Sequence, residues 1–409
     1  MAEVSFSSLA VVVAVAFSVP LLLGLAPALR LPAVVLEILL GIVIGPYGLR
    51  WAGADLPVQV LALIGVAFNL LLAGLEIDLD RLKGRLARVA VLNFLASFAL
   101  ALLFVYGLKI AGLIAAPLLI AIILSATSLG IIVPVLKDAG QSASAFGQLA
   151  IASASVADFG TIILLSLFFS REATTTGAKL VLIGTFVLLA VVAGFAIGRA
   201  ERSTRFSALL QRLQDTTAQI RVRGAFLLLI AFVAMARRLG LEVVFGAFTA
   251  GAILKLVDRD EMLTHPNFRL KLDAAGFGFF IPIFFVASGI TFNLPALFAS
   301  TSTLVLVPVF LVGLLLVRGL PALLYRPVIG GRRAVAAALL QATSLPFIVV
   351  ASQIGLDLGL LRPATGAAMV AAGLLSLLLF PVGALVLLRR EATAAPPALA
   401  GSSITGPGA

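Results

Sequence analysis

An all-α polytopic membrane protein of about thirteen transmembrane helices is the fold class this 409-residue sequence predicts, and three observations predict it. The chain is 62% hydrophobic and 11% charged, with a mean hydropathy of +1.20. A soluble domain holds about 45–50% apolar and about 25% charged residues, so water is not the solvent for most of this chain. Apolar runs of about 20 residues, the length that crosses a hydrocarbon core, recur from end to end. The basic residues collect in alternate loops, as they do when every second loop lies in the cytoplasm.

The spans are expected near 5–25, 32–49, 57–76, 87–113, 116–136, 143–169, 178–198, 221–239, 241–257, 276–297, 301–325, 333–355 and 363–388, the ninth being short. The first lacks a basic n-region and a small-residue cleavage site, so it is expected to stay in the membrane. With the N-terminus outside, Arg81, Lys83, Arg85 and Arg88 fall inside, as do Arg199, Arg202, Arg205, Arg212, Arg221 and Arg223. Arg326, Arg332, Arg333, Arg389 and Arg390 follow on the same side. About 21 Lys and Arg then face the cytoplasm and about seven face out, and an odd span count leaves the C-terminus inside. The net charge of +11 therefore orients the protein in a lipid bilayer and does not argue for nucleic acid. The expected location is multi-pass in a cell membrane; the compact Ala/Leu/Gly-rich spans suit a bacterial inner membrane.

The chain has no Cys, which excludes disulfides and thiol chemistry. His265 lies in a charged loop without metal-ligating partners and reads as a loop residue. No nucleophile–base set or metal cluster is visible, so neither an enzyme nor a cofactor is expected. Between Arg199 and Arg223, Phe206, Leu209, Leu210, Leu213 and Ile220 repeat at helical spacing among arginines. That pattern predicts an amphipathic helix on the cytoplasmic surface joining two halves of the chain. Residues 391–409 are small, Pro/Gly-rich and aperiodic, and are expected to be disordered, with no soluble regulatory domain after the last span.

The halves echo each other. Span five carries Ser125-Ala126-Thr127-Ser128-Leu129-Gly130 with Pro134 after it, and span twelve carries Gln341-Ala342-Thr343-Ser344-Leu345-Pro346. Paired spans interrupted by helix breakers point to the site of an inverted-repeat transporter; two ordinary Pro-kinked helices are the bland alternative. Broken backbone at mid-membrane is tolerated where it lines a protein-walled or watery cavity. The hydroxyls of Thr127, Ser128, Thr343 and Ser344 suit a hard monovalent cation.

Span six holds one ionisable residue between Asp138 and Arg171, Asp158. A charge at the centre of a span costs at least about 2.5 kcal/mol, so a lone acid there is a functional candidate. The cost falls when the acid takes up a proton or a cation, the minimum equipment of a proton-coupled carrier. Gln148, Ser155, Asp158 and Thr161 share one helical face, predicting a polar stripe towards a cavity. Arg318 is the one charge between Leu294 and Tyr325. It is placed to pair with Asp158, to cap broken-helix carbonyls, or to snorkel to the interface. Glu37, Glu76 and Glu242 are secondary, and Gly41 with Gly45 forms a GxxxG suited to close helix contact.

Taken together these residues resemble the cation/proton antiporter superfamily, in particular its second bacterial branch of sodium/proton and potassium/proton exchangers. The resemblance rests on Ala73-Gly74-Leu75-Glu76-Ile77-Asp78, Ser125-Ala126-Thr127-Ser128 and Asp158. Val244-Phe245-Gly246-Ala247-Phe248 with Ala250-Gly251, and Pro282-Ile283-Phe284-Phe285-Val286 with Gly289, complete it. It implies a homodimer of thirteen-helix protomers with two broken, crossing helices. Scaffold helices 1–3 would occupy residues 1–85 and helices 8–10 residues 221–300. The core repeats would occupy 86–170 and 301–390, with helix seven and the linker bridging at 171–220. The resemblance makes Asp158 the binder of proton or monovalent cation in turn, Thr127 the broken-helix position and Arg318 the basic residue of the core; from the residues themselves, Ser128 and Ser155 are expected beside the acid, and Gln341, Thr343 and Ser344 are expected to support the core.

One departure stands out: members place Asp, Asn or Gln immediately before the acid, where this chain has Ala157. A single acid argues for one proton per Na⁺ or K⁺, an electroneutral exchange. The residues leave two other readings open: a proton-coupled carrier of a larger solute, an organic anion among the candidates, on the same scaffold, and a gated ion channel.

Overall fold

Inside hydrocarbon every backbone N–H and C=O must find a protein partner, and a helix supplies one within each span. The computed structural model describes residues 5–25, 31–76, 84–169, 176–201, 212–213, 216–257 and 267–394, and its regular elements there are helices. Residues 202–211 and 214–215 of the expected surface helix lie outside these residues, as do His265 and all of the tail beyond residue 394. In chain order the helices are α1 (Ser7–Leu25), α2 (Ala33–Ile44), α3 (Leu56–Leu75), α4 (Gly84–Ile110), α5 (Pro117–Ser125) and α6 (Leu129–Asp138). They continue with α7 (Ala145–Phe168), α8 (Thr176–Glu201), α9 (Ile220–Arg238), α10 (Val243–Val257), α11 (Asn267–Ala275) and α12 (Ile281–Ile290). The last are α13 (Thr301–Leu314), α14 (Gly331–Gln341), α15 (Pro346–Asp357) and α16 (Pro363–Ala394).

Ten of the segments built from these are long and apolar enough to cross a membrane; α2 and α10 are shorter apolar helices. With α9, framed by Arg221, Arg223, Arg237 and Arg238, they make up the expected thirteen. Span ten is displaced from its expected limits. Its helix begins at Asn267, where Arg269, Lys271 and Asp273 disguise the first turns, and ends at Ile290.

Two segments are broken mid-span. α5 and α6 are separated by Ala126–Ser128, and α14 and α15 by 342–345, so the shared Ala-Thr-Ser-Leu marks both interruptions. The two spans are seven apart in the chain and therefore run in opposite directions. Their second halves also end alike. Gly140 (φ +65°) and Gly359 (φ +68°) follow Asp138 and Asp357 by two residues. In each, the glycine N–H bonds the carbonyl three back and the next N–H the carbonyl five back, a left-handed stop that favours glycine.

Two π-turns, Gly276–Phe280 and Leu315–Gly319, continue α11 and α13. Each precedes a proline by two residues, Pro282 and Pro321. A proline offers no N–H and crowds the carbonyl four residues back, and the widened turn takes up both defects.

Candidate functional site

The interruption at 126–128 delivers α6 with its N-terminus inside the protein, and the Leu129 N–H donates to Asp158 Oδ2 at 3.4 Å. A helix N-terminus carries a partial positive charge that favours a carboxylate. Asp158, part-buried on α7, is met there by that backbone donor. The two breaks touch. Thr127 Oγ1 donates to the Gln341 carbonyl in a short hydrogen bond and lies 3.4 Å from the Thr343 carbonyl. One hydroxyl thus satisfies carbonyls that the end of α14 leaves open.

Asp158, Thr127, Ser128, Leu129 and Gly130 line a cavity of about 70 Å³. Opposite them stand Asn69, Ala73 and Glu76 of α3, Phe277 of the first π-turn, and Pro346, Phe347 and Val350 of α15. A second cavity of about 490 Å³ opens towards the other face, lined in part by Arg237, Glu242, Gln353 and Asp357. Leu70 of α3 and Val350 of α15 border both cavities, each 7% exposed, and form a thin apolar septum between them. Beside the acid, Phe159 stacks on Phe248 of α10 with centroids 5.8 Å apart.

The sequence-expected site residues divide. Asp158, Thr127 and Ser128 meet in the small cavity. Ser155 is buried and spends its hydroxyl on the Ile151 carbonyl at 3.0 Å; Thr161 does the same with Ala157 at 2.8 Å. Neither borders the cavity, so the expected polar stripe narrows to Asp158. Thr343 Oγ1 turns back to the Leu339 carbonyl, and the Ser344 backbone is held from both sides by Ser376 Oγ of α16. The Ser344 hydroxyl is buried without a hydrogen-bond partner among the described residues.

Arg318 corrects an expectation. It is 0% exposed, so it does not snorkel. Its guanidinium donates to Ser97 Oγ at 3.1 Å and Gln341 Oε1 at 2.5 Å rather than pairing with Asp158. Gln341 Nε2 in turn donates to the Ala150 carbonyl on α7 at 2.8 Å. Gln341 is therefore a junction. Its side chain ties Arg318 to the helix bearing Asp158, and its carbonyl receives Thr127. Tyr325 donates to Ser153 Oγ at 2.5 Å, a further tie to α7.

Sequence reasoning missed Ser97, Ser153, Ser376 and Tyr325 and ranked Glu76 as secondary. Asn93 and Ser97, one turn apart in apolar α4, were the available signal for a buried polar face. Glu76 borders the same cavity as Asp158, and Arg269 Nη2 lies 3.4 Å from its carboxylate.

The model of the family "Sodium/hydrogen exchanger, transmembrane" matches residues 13–389. The putative Na(+)/H(+) antiporter YjbQ of Bacillus subtilis (strain 168) is 32% identical over 406 residues, covering 96% of this chain and 64% of that protein. This chain thus spans about two-thirds of that relative's length. The probable Na(+)/H(+) antiporter 3 of Methanocaldococcus jannaschii is 28% identical over 366 residues, covering 86% and 88%. The structure of the sodium proton antiporter MjNhaP1 from Methanocaldococcus jannaschii at pH 8 superposes with a TM-score of 0.62 at 18% identity, covering 94% of this chain and 98% of that one. That likeness bears on the fold alone. By its sequence, this chain belongs to the sodium/hydrogen exchanger family.

Proposed function

We propose that the protein exchanges a monovalent cation, Na⁺ or K⁺, for a proton across a cell membrane, with Asp158 holding one or the other in turn. The observation that carries this reading is the placement of Asp158 in the wall of a small cavity that shares Leu70 and Val350 with a larger cavity beyond them. A part-buried carboxylate at a helix N-terminus, with Thr127 and Ser128 beside it, offers oxygen ligands and a titratable charge at one point. A cavity of about 70 Å³ has room for a few waters or a partly hydrated ion. It does not suit an organic solute, whose pockets run to about 300–1,000 Å³. The septum of Leu70 and Val350 argues against an open pore.

Leu70 belongs to α3 and Val350 to α15, so displacing the core repeats (α4–α7 and α13–α16) against the scaffold (α1–α3 and α9–α12) parts the wall on one side and rebuilds it on the other. An unaccompanied Asp158 anion costs several kcal/mol to carry through the apolar zone. The core therefore crosses readily with a proton or a cation aboard and rarely empty, which couples the fluxes. Each passenger carries one positive charge, giving an electroneutral exchange. We also infer a homodimer through the scaffold helices, with the N-terminus outside and the C-terminus cytoplasmic.

The test is proteoliposomes with a trapped pH dye, acid-loaded and pulsed with Na⁺, K⁺, Li⁺ or choline. Cation-specific alkalinisation of the lumen, lost in Asp158→Asn, is expected. Full exchange by Asp158→Asn, or ion flux without lumenal pH change, would sink the reading.

A further inference from the structure

The two broken spans are each tied to the span that follows, and in the same way. Each break gives one backbone N–H to a side chain of that next span: Leu129 to Asp158 Oδ2 of α7 at 3.4 Å, and Ser344 to Ser376 Oγ of α16 at 3.3 Å. Asp158 and Ser376 also lie at equal distances, within one residue, beyond the glycine stops Gly140 and Gly359. Ser376 thus holds in the second half the place that Asp158 holds in the first. The chemistry differs. An ionised carboxylate only accepts hydrogen bonds, whereas a hydroxyl both accepts and donates. Ser376 Oγ accepts from the Ser344 N–H and shares its proton between the Ser344 carbonyl at 3.1 Å and the Gly373 carbonyl at 2.8 Å. It is 0% exposed and borders neither cavity, while Asp158 lines the smaller one. The backbone of α16 comes close here: a Cβ on Gly373 would lie 3.1 Å from the Ser344 carbonyl oxygen.

Resting on the exchange reading above, we propose that Ser376 is a positioning residue for the cation site: a neutral counterpart of Asp158 that locks the α14–α15 break, so that the carbonyls there hold Thr127 at the cavity. The path is short. Ser376 fixes both backbone groups of Ser344. The preceding residue, Thr343, presents its carbonyl 3.4 Å from Thr127 Oγ1, and Gln341 presents the carbonyl to which that hydroxyl donates. Thr127 in turn lines the cavity with Ser128 and Asp158. A neutral hydroxyl satisfies the second break without a passenger, whereas the acid at the first needs a proton or a cation. One break is closed for good and the other takes the cargo, which gives the pair one passenger per crossing.

The experiment measures the half-saturating concentrations of Na⁺ and K⁺, and the maximal rate, in proteoliposomes with a trapped pH dye. Ser376→Ala is expected to raise the half-saturating concentration about fivefold, the size expected for one lost hydrogen bond transmitted to the site, with the maximal rate within about twofold. Ser376→Thr, which keeps the hydroxyl, should stay within about twofold of the wild type on both. Because Ser376 acts through Thr127, Ser376→Ala combined with Thr127→Val should match Thr127→Val alone within about twofold. Gly373→Ala presses α16 against the break and should raise the same constant about two- to threefold with the hydroxyl intact. A lower melting temperature with half-saturation unchanged in Ser376→Ala overturns the proposal, leaving Ser376 a structural tie. So does a shift in Ser376→Thr as large as that in Ser376→Ala, or a double variant in which the two effects multiply. If Ser376→Ala does not fold, Gly373→Ala decides, and an unchanged constant there overturns the proposal. Wild-type protein that exchanges no cation for protons would instead sink the exchange reading itself.

Discussion

The scaffold and the core of this protein are held together by different chemistry. In the scaffold the contacts are backbone on backbone. Gly41 and Gly289 face each other between α2 and α12, and a Cβ on either would lie 2.2 Å from a carbonyl oxygen across the interface. Gly74 and Gly251 repeat the arrangement between α3 and α10. Phenylalanines fill the remaining space: Phe68 on Phe226 at 5.1 Å, Phe226 on Phe280 at 5.9 Å. In the core, buried side-chain hydrogen bonds run between helices, from Thr127 and Arg318 to Gln341, from Gln341 to Ala150, from Tyr325 to Ser153 and from Ser376 to Ser344. Close-packed backbone has no second arrangement to fall into, whereas the broken helices have open backbone ends that only such ties can satisfy.

The contrast can be broken by experiment, beginning with the largest effect. Asp158→Asn should cut exchange by about 100-fold or more while leaving thermal unfolding in detergent within a few degrees, since it removes a costly buried charge. A collapsed protein would mean the acid is structural. Gly74→Ala should do the reverse, lowering stability by about 1–3 kcal/mol through overpacking, read as a lower melting temperature. Gly107 on α4, with nothing within 4 Å of an added Cβ, is the control; its alanine variant should be neutral or slightly more stable. Gln341→Leu strands Arg318 and Ala150 together and should cost about 1–3 kcal/mol in thermal stability and slow exchange. Thr127→Val, which leaves the Gln341 carbonyl short of its donor, should cost about 1 kcal/mol and slow exchange about tenfold. Leu70→Ala should have the mildest effect: normal stability with a small cation-independent proton leak through the thinned septum.

Much of this was legible in the chain. The repeated Ala-Thr-Ser-Leu located both breaks because a span has few ways to interrupt itself, and each way leaves Ser, Thr, Gly or Pro behind. Asp158 was legible because a carboxylate in an apolar span is too expensive to be incidental. Arg318 was legible as a charge but not as a contact. Its place in span eleven allowed pairing, capping or snorkelling, and a π-turn ahead of Pro321 now sets where the guanidinium goes. Glu76 was not legible as a site residue because its place beside Asp158 comes from α7, packed across the cavity some 80 residues later in the chain.

By itself, then, the sequence determined the solvent, the approximate number of the spans, the two interruptions and the acid. All of these follow from local free energies, of apolar length, of broken backbone and of buried charge, that a single segment carries with it. Only the tertiary structure decided which hydroxyl meets which carbonyl, that Leu70 and Val350 close one wall between two cavities, and that Glu76 shares a cavity with Asp158. Those are relations between segments, fixed by how helices pack, and no stretch of chain read alone contains them.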